Sequence, residues 1–167
     1  MQRANEQATK RIGELLIERG LINARQLEQA LERQRSSGQF LGAILVDMGA
    51  VTERALVETV ARQFGLPYES LDQARVDWAV ARQFPAAVLS TGRGFPIRAD
   101  NDGITLAIAN PLDVWTLSEF ERAAGHRVVR PVLVLERELQ AVVQVHRRQV
   151  LQAMEAKLSE GTDGQAQ

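Results

Sequence analysis

The chain has 167 residues, 45% of them apolar and 25% charged, the balance of ordinary globular chains and enough to bury a core in one domain or two small ones. A formal net charge of −1, with 20 basic against 21 acidic residues, argues against a duplex-binding domain, which usually carries a basic excess on at least one segment. The absence of cysteine excludes disulfides, thiol catalysis and thiolate metal sites, and the two isolated histidines, His126 and His146, do not make a typical zinc site.

The amino end, MQRANEQATK, is polar and lacks an apolar signal core. No run approaches the length of a membrane span, so the expected location is cytoplasmic, without direct membrane insertion. Arg11–Gln34 and Phe40–Gln63 are then two 24-residue copies of one pattern, offset by 29 residues. The copies share Gly13/Gly42, Leu16/Leu45, Gly20/Gly49, Arg25/Arg54, Leu27/Leu56, Arg33/Arg62 and Gln34/Gln63. Two units are too few for a solenoid and suit a pseudo-symmetric module.

Within each copy the apolar spacing is helical and glycine cuts it at a fixed place. Ile12, Leu15 and Leu16 predict a short amphipathic helix that Gly20 ends in a left-handed cap; Asn23 then caps a second helix with Leu27, Ala30 and Leu31 on its inner face. Gly49 and Thr52 repeat the stop and the cap in the second copy, and Arg35–Gln39 is the polar connector. Each copy therefore reads as a helical hairpin. Helices this short need one another, or the second half of the chain, for stability.

Beyond Gln63, Gly65 and Pro67 should end the helical half. Asp77–Val88 is expected to be helical with Pro85 interrupting it, and Trp78 to pack in the core or at a domain interface. Two strand-like runs, Phe95–Ala99 and Ile104–Ala109, flank the turn signal Asp102-Gly103. Asp113 is placed to cap a helix through Ala124 that Gly125 ends. Val128–Leu135 is a further strand candidate, in which Pro131 suggests an edge or a bulge. Glu136 to about Leu158 is expected to be helical, and the last residues, SEGTDGQAQ, disordered. The expected fold class is α+β: a pair of helical hairpins over residues 1–66, a small antiparallel sheet backed by helices over 67–158, and a tail over 159–167.

No phosphate-binding loop of the form Gly-x-x-x-x-Gly-Lys-Ser/Thr, no Gly-x-Ser-x-Gly elbow and no His-Glu-x-x-His occurs, and the acids scatter along polar helix faces. The chain is therefore expected not to be an enzyme. His126 follows a helix-ending glycine and His146 adjoins Arg147 and Arg148, and both read as surface histidines. The repeats offer more. Gly13 and Gly42 leave the start of a helix bare, where free backbone N–H groups can accept a ring or a phosphate, and Arg11 lies two residues before the first of them. Gln34 and Gln63 each end a copy with a donor and an acceptor that suit a nucleobase edge or an amide–backbone contact. The same residues also serve as turn, cap and core positions of a plain helical hairpin.

The first copy resembles the ligand-binding motif of the MshEN domain, the cyclic di-GMP receptor domain found at the amino end of pilus and type II secretion ATPases. Arg11, Ile12, Gly13, Leu16, Ile17, Gly20, Leu21, Ile22, Leu27, Leu31 and Gln34 occupy the motif positions, with Ile12 in place of leucine the only departure. In the second copy Leu41, Gly42, Leu45, Val46, Gly49, Val51, Leu56 and Gln63 fit, while Phe40 replaces the arginine, Ala50 a larger aliphatic and Val60 the leucine. Residues 64 to about 146 are similar to the second half of the same region, particularly around DGITLAIANPLD.

The resemblance implies a non-catalytic receptor whose ligand is cyclic di-GMP, with no cofactor or metal. Arg11 would supply the main charged contact, Gly13 and Gly42 close backbone approach, the aliphatic pairs ring packing, and Gln34 and Gln63 polar anchoring. Phe40 could stack on a guanine or be buried packing. A ligand with two guanines and two phosphates would meet two similar hairpins. The implied output is a fused or separate effector such as an export ATPase or a membrane glycosyltransferase, with no DNA or RNA partner. The alternative is a protein-docking module of a secretion or pilus assembly system that binds no nucleotide.

Overall fold

Helix starts and stops in the first half follow local chemistry. In the computed structural model, which describes residues 12–163, α1 comprises residues 12–18, α2 Ala24–Ser37, α3 Leu41–Asp47 and α4 Glu53–Gln63. Asn23 closes a capping box on α2: its side chain accepts from the Gln26 N–H at 2.9 Å, and the Gln26 side chain accepts from the Asn23 N–H at 2.8 Å. Thr52 caps α4 through the Ala55 N–H at 3.2 Å. Gly20 and Gly49 turn the chain in the left-handed region, at φ of 67° and 66°. Each is followed by a residue whose N–H reaches back five positions, Leu21 to the Leu16 carbonyl and Ala50 to that of Leu45, both at 2.9 Å. That pattern satisfies carbonyls a helix end otherwise leaves bare.

The chain divides into two units between Tyr68 and Glu69. In the first, the inward faces of the two hairpins meet in one core of Ile12, Leu16, Ile22, Ala30, Leu41, Ile44, Leu45 and Val51. Each large member contributes about 1.5–3 kcal/mol by burial. This is where the short helices gain the stability their length denies them.

The second unit holds a 3₁₀ turn at Gln73–Arg75, α5 (Trp78–Ala81), α6 (Ala86–Ser90), β1 (Gly94–Ala99), β2 (Gly103–Ile108), α7 (Val114–Ala124), β3 (Val128–Leu133) and α8 (Glu136–Asp163). The fold class is α+β, as expected. Pro85 splits the expected 77–88 helix into α5 and α6, because proline cannot continue the first of them. β1 and β2 form the expected hairpin, with the Asp100 carboxylate accepting from the N–H groups of Asp102 and Gly103 across the turn.

The third strand corrects the expectation of an antiparallel sheet. β3 pairs with β2 in parallel, Gly103 facing Val128 and Ile108 facing Leu133, so the sheet is mixed in the order β1-β2-β3. The reason is the crossover. α7 has 11 residues and carries the chain back by about 16 Å, close to the roughly 20 Å length of six-residue β2, so the next strand starts beside the start of β2. Pro131 lies on this edge strand, where a missing donor is tolerated. A β-carbon on Gly103 would stand 2.2 Å from the Val128 carbonyl oxygen, so the parallel pair closes over a bare backbone.

Phe95 of β1 is fully buried between two edge-on rings, Trp78 at 5.9 Å and His146 at 5.3 Å. Trp78, itself half-buried, therefore packs against the core of this unit, and His146 is not the surface histidine expected. It is half-buried, and burial holds its pKa below the ordinary value. α8 continues past Leu158 to Asp163, so the first residues of the expected disordered tail are helical; residues 164–167 lie outside the described ones.

Candidate ligand-binding site

The motif residues separate into two groups when placed on the first unit. Ile12, Leu16, Ile22, Leu41, Leu45 and Val51 are buried and form the core. Ile17, Leu21, Leu27, Leu31, Gln34, Gly42, Val46, Ala50, Leu56, Val60 and Gln63 are half-buried, and Gly20, Phe40 and Gly49 are exposed. Only the half-buried and exposed residues can meet a ligand without a change in the core. Gly20 and Gly49 have a complete local account as left-handed helix ends. Arg11, the residue given the main charged contact, lies outside the described residues.

Gly13 and Gly42 are bare for a reason that the sequence does not display. A β-carbon on Gly13 would stand 2.7 Å from Leu27 Cδ1, and one on Gly42 would stand 2.8 Å from Leu56 Cδ2. The space over each glycine is taken by the leucine of its own hairpin. Backbone approach at these two positions is thus made by a side chain of the protein, and the glycines set how closely the two helices of each copy pack.

Outside that packing, the first hairpin opens a groove of about 420 Å³ with Ile17, Leu27 and Leu31 as its apolar floor and Glu28, Glu32 and Arg35 on its rim. An aliphatic floor suits a flat ring; two carboxylates on the rim disfavour a phosphate there. Gln34, at the end of α2, donates to the Gln39 carbonyl at 3.1 Å and so holds the connector. Phe40 follows directly and is 72% exposed, a ring presented to solvent where the first copy has a cation.

A polar contact between the copies had no signal in the local pattern. Arg19 Nη1 donates to Thr59 Oγ1 at 2.6 Å across 40 residues of sequence, and that hydroxyl donates in turn to the Ala55 carbonyl at 2.8 Å. The trace that could have exposed it is a break in the repeat: an offset of 29 pairs Arg19 with Met48 and Thr59 with Ala30.

A larger cavity of about 500 Å³ lies in the second unit, lined by Thr91, Gly92, Arg93, Asn110, Asp113, Glu136 and Gln140 among others. Its polar groups are spent on the fold. Asp113 caps α7 through Thr116, Asn110 accepts from the Leu112 N–H, and Gln140 donates to both the Gly92 carbonyl and Glu136. Nearby, Leu112, Val114 and Trp115 are 52%, 67% and 60% exposed, a run of large apolar side chains at the start of α7. No described helix is long and apolar enough to cross a membrane.

The chain was also compared with known proteins. The model of the MshEN domain matches residues 64–153, more than half of the chain, and begins one residue after Gln63. The type IV pilus assembly ATPase PilB of Thermus thermophilus is 35% identical over 124 residues, which is 73% of this chain and 14% of that protein. The bacteriophage adsorption protein B of Escherichia coli is 30% identical over 128 residues, 77% of this chain and 17% of that protein. This chain thus spans less than a fifth of the length of either. Among solved structures, that of MshE with cdg is 27% identical, with a TM-score of 0.69 over 80% of this chain and 96% of that one.

Proposed function

We propose, from the premise that this chain belongs to the MshEN domain family, that it is a non-catalytic receptor for cyclic di-GMP whose occupancy is passed to an effector of the pilus or secretion ATPase kind. The observation that carries the reading is the doubled hairpin: two copies of one helix pair, each with its glycine covered by its own leucine and a glutamine at its end. A two-fold dinucleotide has two like halves for two like surfaces. The likeness to MshE with cdg supports the same ligand, over a stretch that includes most of this chain.

In this reading the half-buried Ile17, Leu27 and Leu31, with Val46, Leu56 and Val60 in the second copy, take the guanine faces. Arg11 pairs with a phosphate, Gln34 and Gln63 address base edges, and Phe40 stacks. Burial of apolar surface at about 25 cal/mol per Å² supplies much of the affinity, so a near-neutral chain can hold a dianion. The ATP chemistry of the pilus relatives is not part of the proposal, because this chain spans so little of their length.

Isothermal titration calorimetry of the chain with cyclic di-GMP tests it, with GTP and cyclic di-AMP as controls. Saturation near one ligand per chain at micromolar or tighter affinity, with silent controls, supports the receptor. A flat titration rejects it. The exposed Leu112, Val114 and Trp115 favour a second reading, a docking module that engages an assembly protein irrespective of nucleotide. A partner retained equally with and without cyclic di-GMP, and lost in Trp115→Ser, is the result that would select it.

A further inference from the structure

The two copies are not equivalent at the seam between them. Arg19, at the end of α1, reaches across to α4 and donates to Thr59, whose side chain belongs to a residue only 1% exposed. Because the Thr59 hydroxyl spends its proton on the Ala55 carbonyl, its oxygen can only accept from the guanidinium, which fixes one edge of that group. The remaining donors of the guanidinium fork sit on an exposed residue. Thr59 and Gln63 are one helical turn apart on α4, and Leu56, which covers Gly42, is three residues the other way. Arg19 is thus brought by the first copy to the face of α4 that carries the second copy's half-site.

The related seam does without such a bond. The positions that the repeat offset relates to this pair are Met48 and the fully buried Ala30, apolar residues that pack against or belong to the shared core. A cation is therefore not required to hold one hairpin on the other. What the second half-site lacks is the motif cation, since Phe40 stands where the first copy has Arg11.

We infer that Arg19 is the phosphate-binding cation of the second half-site, supplied in trans by the first repeat and held by Thr59 in place of the arginine that Phe40 replaces. The inference rests on the receptor reading. It makes the site asymmetric: one phosphate paired within its own repeat, the other across repeats with Phe40 free to stack.

The test titrates cyclic di-GMP into the unaltered chain, Arg19→Met and Arg19→Gln at low and at moderate salt, with unfolding of each followed without ligand. Arg19→Met copies the other seam, and Arg19→Gln keeps a donor for Thr59. The expected result is affinity about tenfold lower in both, a shallower salt dependence, and an unchanged ligand-free unfolding midpoint. Unaltered affinity and salt dependence in a folded variant overturn the assignment and leave Arg19 a structural clasp. Should Arg19→Met fail to fold, Arg19→Gln is read by the same criteria. Absence of binding by the unaltered chain overturns the receptor reading and this assignment together, whereas binding that is indifferent to Arg19 overturns this assignment alone.

Discussion

Leu27 occupies the space that a side chain on Gly13 would need, its Cδ1 lying 2.7 Å from where a β-carbon would stand. Leu56 does the same over Gly42 at 2.8 Å. Two helix pairs in one unit are thereby held at one spacing by one device, and the surface each presents is correspondingly alike. Resemblance between the copies is a matter of packing before it is a matter of ligand.

Gly13→Ala should destabilise the first unit by up to about 1–3 kcal/mol, the usual cost of overpacking less what the half-buried Leu27 relieves by turning aside, read as a lowered urea midpoint at constant slope. The double variant Gly13→Ala/Leu27→Ala should lose less than the sum of the two single changes, because the shortened side chain vacates the space. Additivity would show that Leu27 is not what excludes a side chain at position 13.

Arg11→Ala should weaken cyclic di-GMP binding at least tenfold, about 1.4 kcal/mol, and leave the far-ultraviolet circular dichroism unchanged. Calorimetry decides it, and an unchanged affinity removes Arg11 from the site.

Phe40→Arg restores the motif cation at a position that is 72% exposed and so need not disturb the core. It should steepen the salt dependence of binding, since one more cation faces the phosphates. Titrations at two ionic strengths measure this, and an unaltered slope would place residue 40 outside the reach of the ligand.

Replacing Asn23 by alanine removes the side-chain acceptor for the Gln26 N–H, one half of the capping box on α2, and should cost about 0.5–2 kcal/mol. Chemical denaturation reads the loss directly. A neutral outcome would mean that α2 is held by its packing alone.

Burial against Phe95 holds the His146 imidazole below its ordinary pKa of 6.5, so the unfolded chain takes up this proton at a higher pH than the folded one. Stability from this residue is accordingly complete above about pH 6.5 and falls as the pH drops through the folded pKa. Glu69 is shifted the opposite way from its ordinary 4.5, by its hydrogen bonds from Arg98, and its contribution fades only on further acidification. Urea midpoints taken between neutral pH and about pH 5.5 should fall for the unaltered chain and fall less for His146→Gln. Parallel curves would mean that His146 is solvated in the folded state.

Much of the fold was legible because it is local. Caps at Asn23 and Thr52, left-handed stops at Gly20 and Gly49, the break at Pro85 and the hairpin around Asp100–Gly103 each depend on residues within five positions of one another. The motif itself was equally readable, since its spacing is the spacing of a helical face. Its meaning was not. Six of its aliphatics are core, and Gly13 and Gly42 face leucines of the protein.

Periodicity and capping act over one or two turns and need no knowledge of what lies opposite, so the order of residues alone makes this chain a doubled helical hairpin with an α+β unit after it. Chain packing had to establish that β3 runs parallel to β2, that Leu27 covers Gly13, that His146 lies on Phe95 and that Arg19 bonds Thr59. Those relationships join residues 14 to 51 positions apart. A contact of that kind depends on where a crossover returns the chain and which faces meet across a core, and no local spacing encodes it.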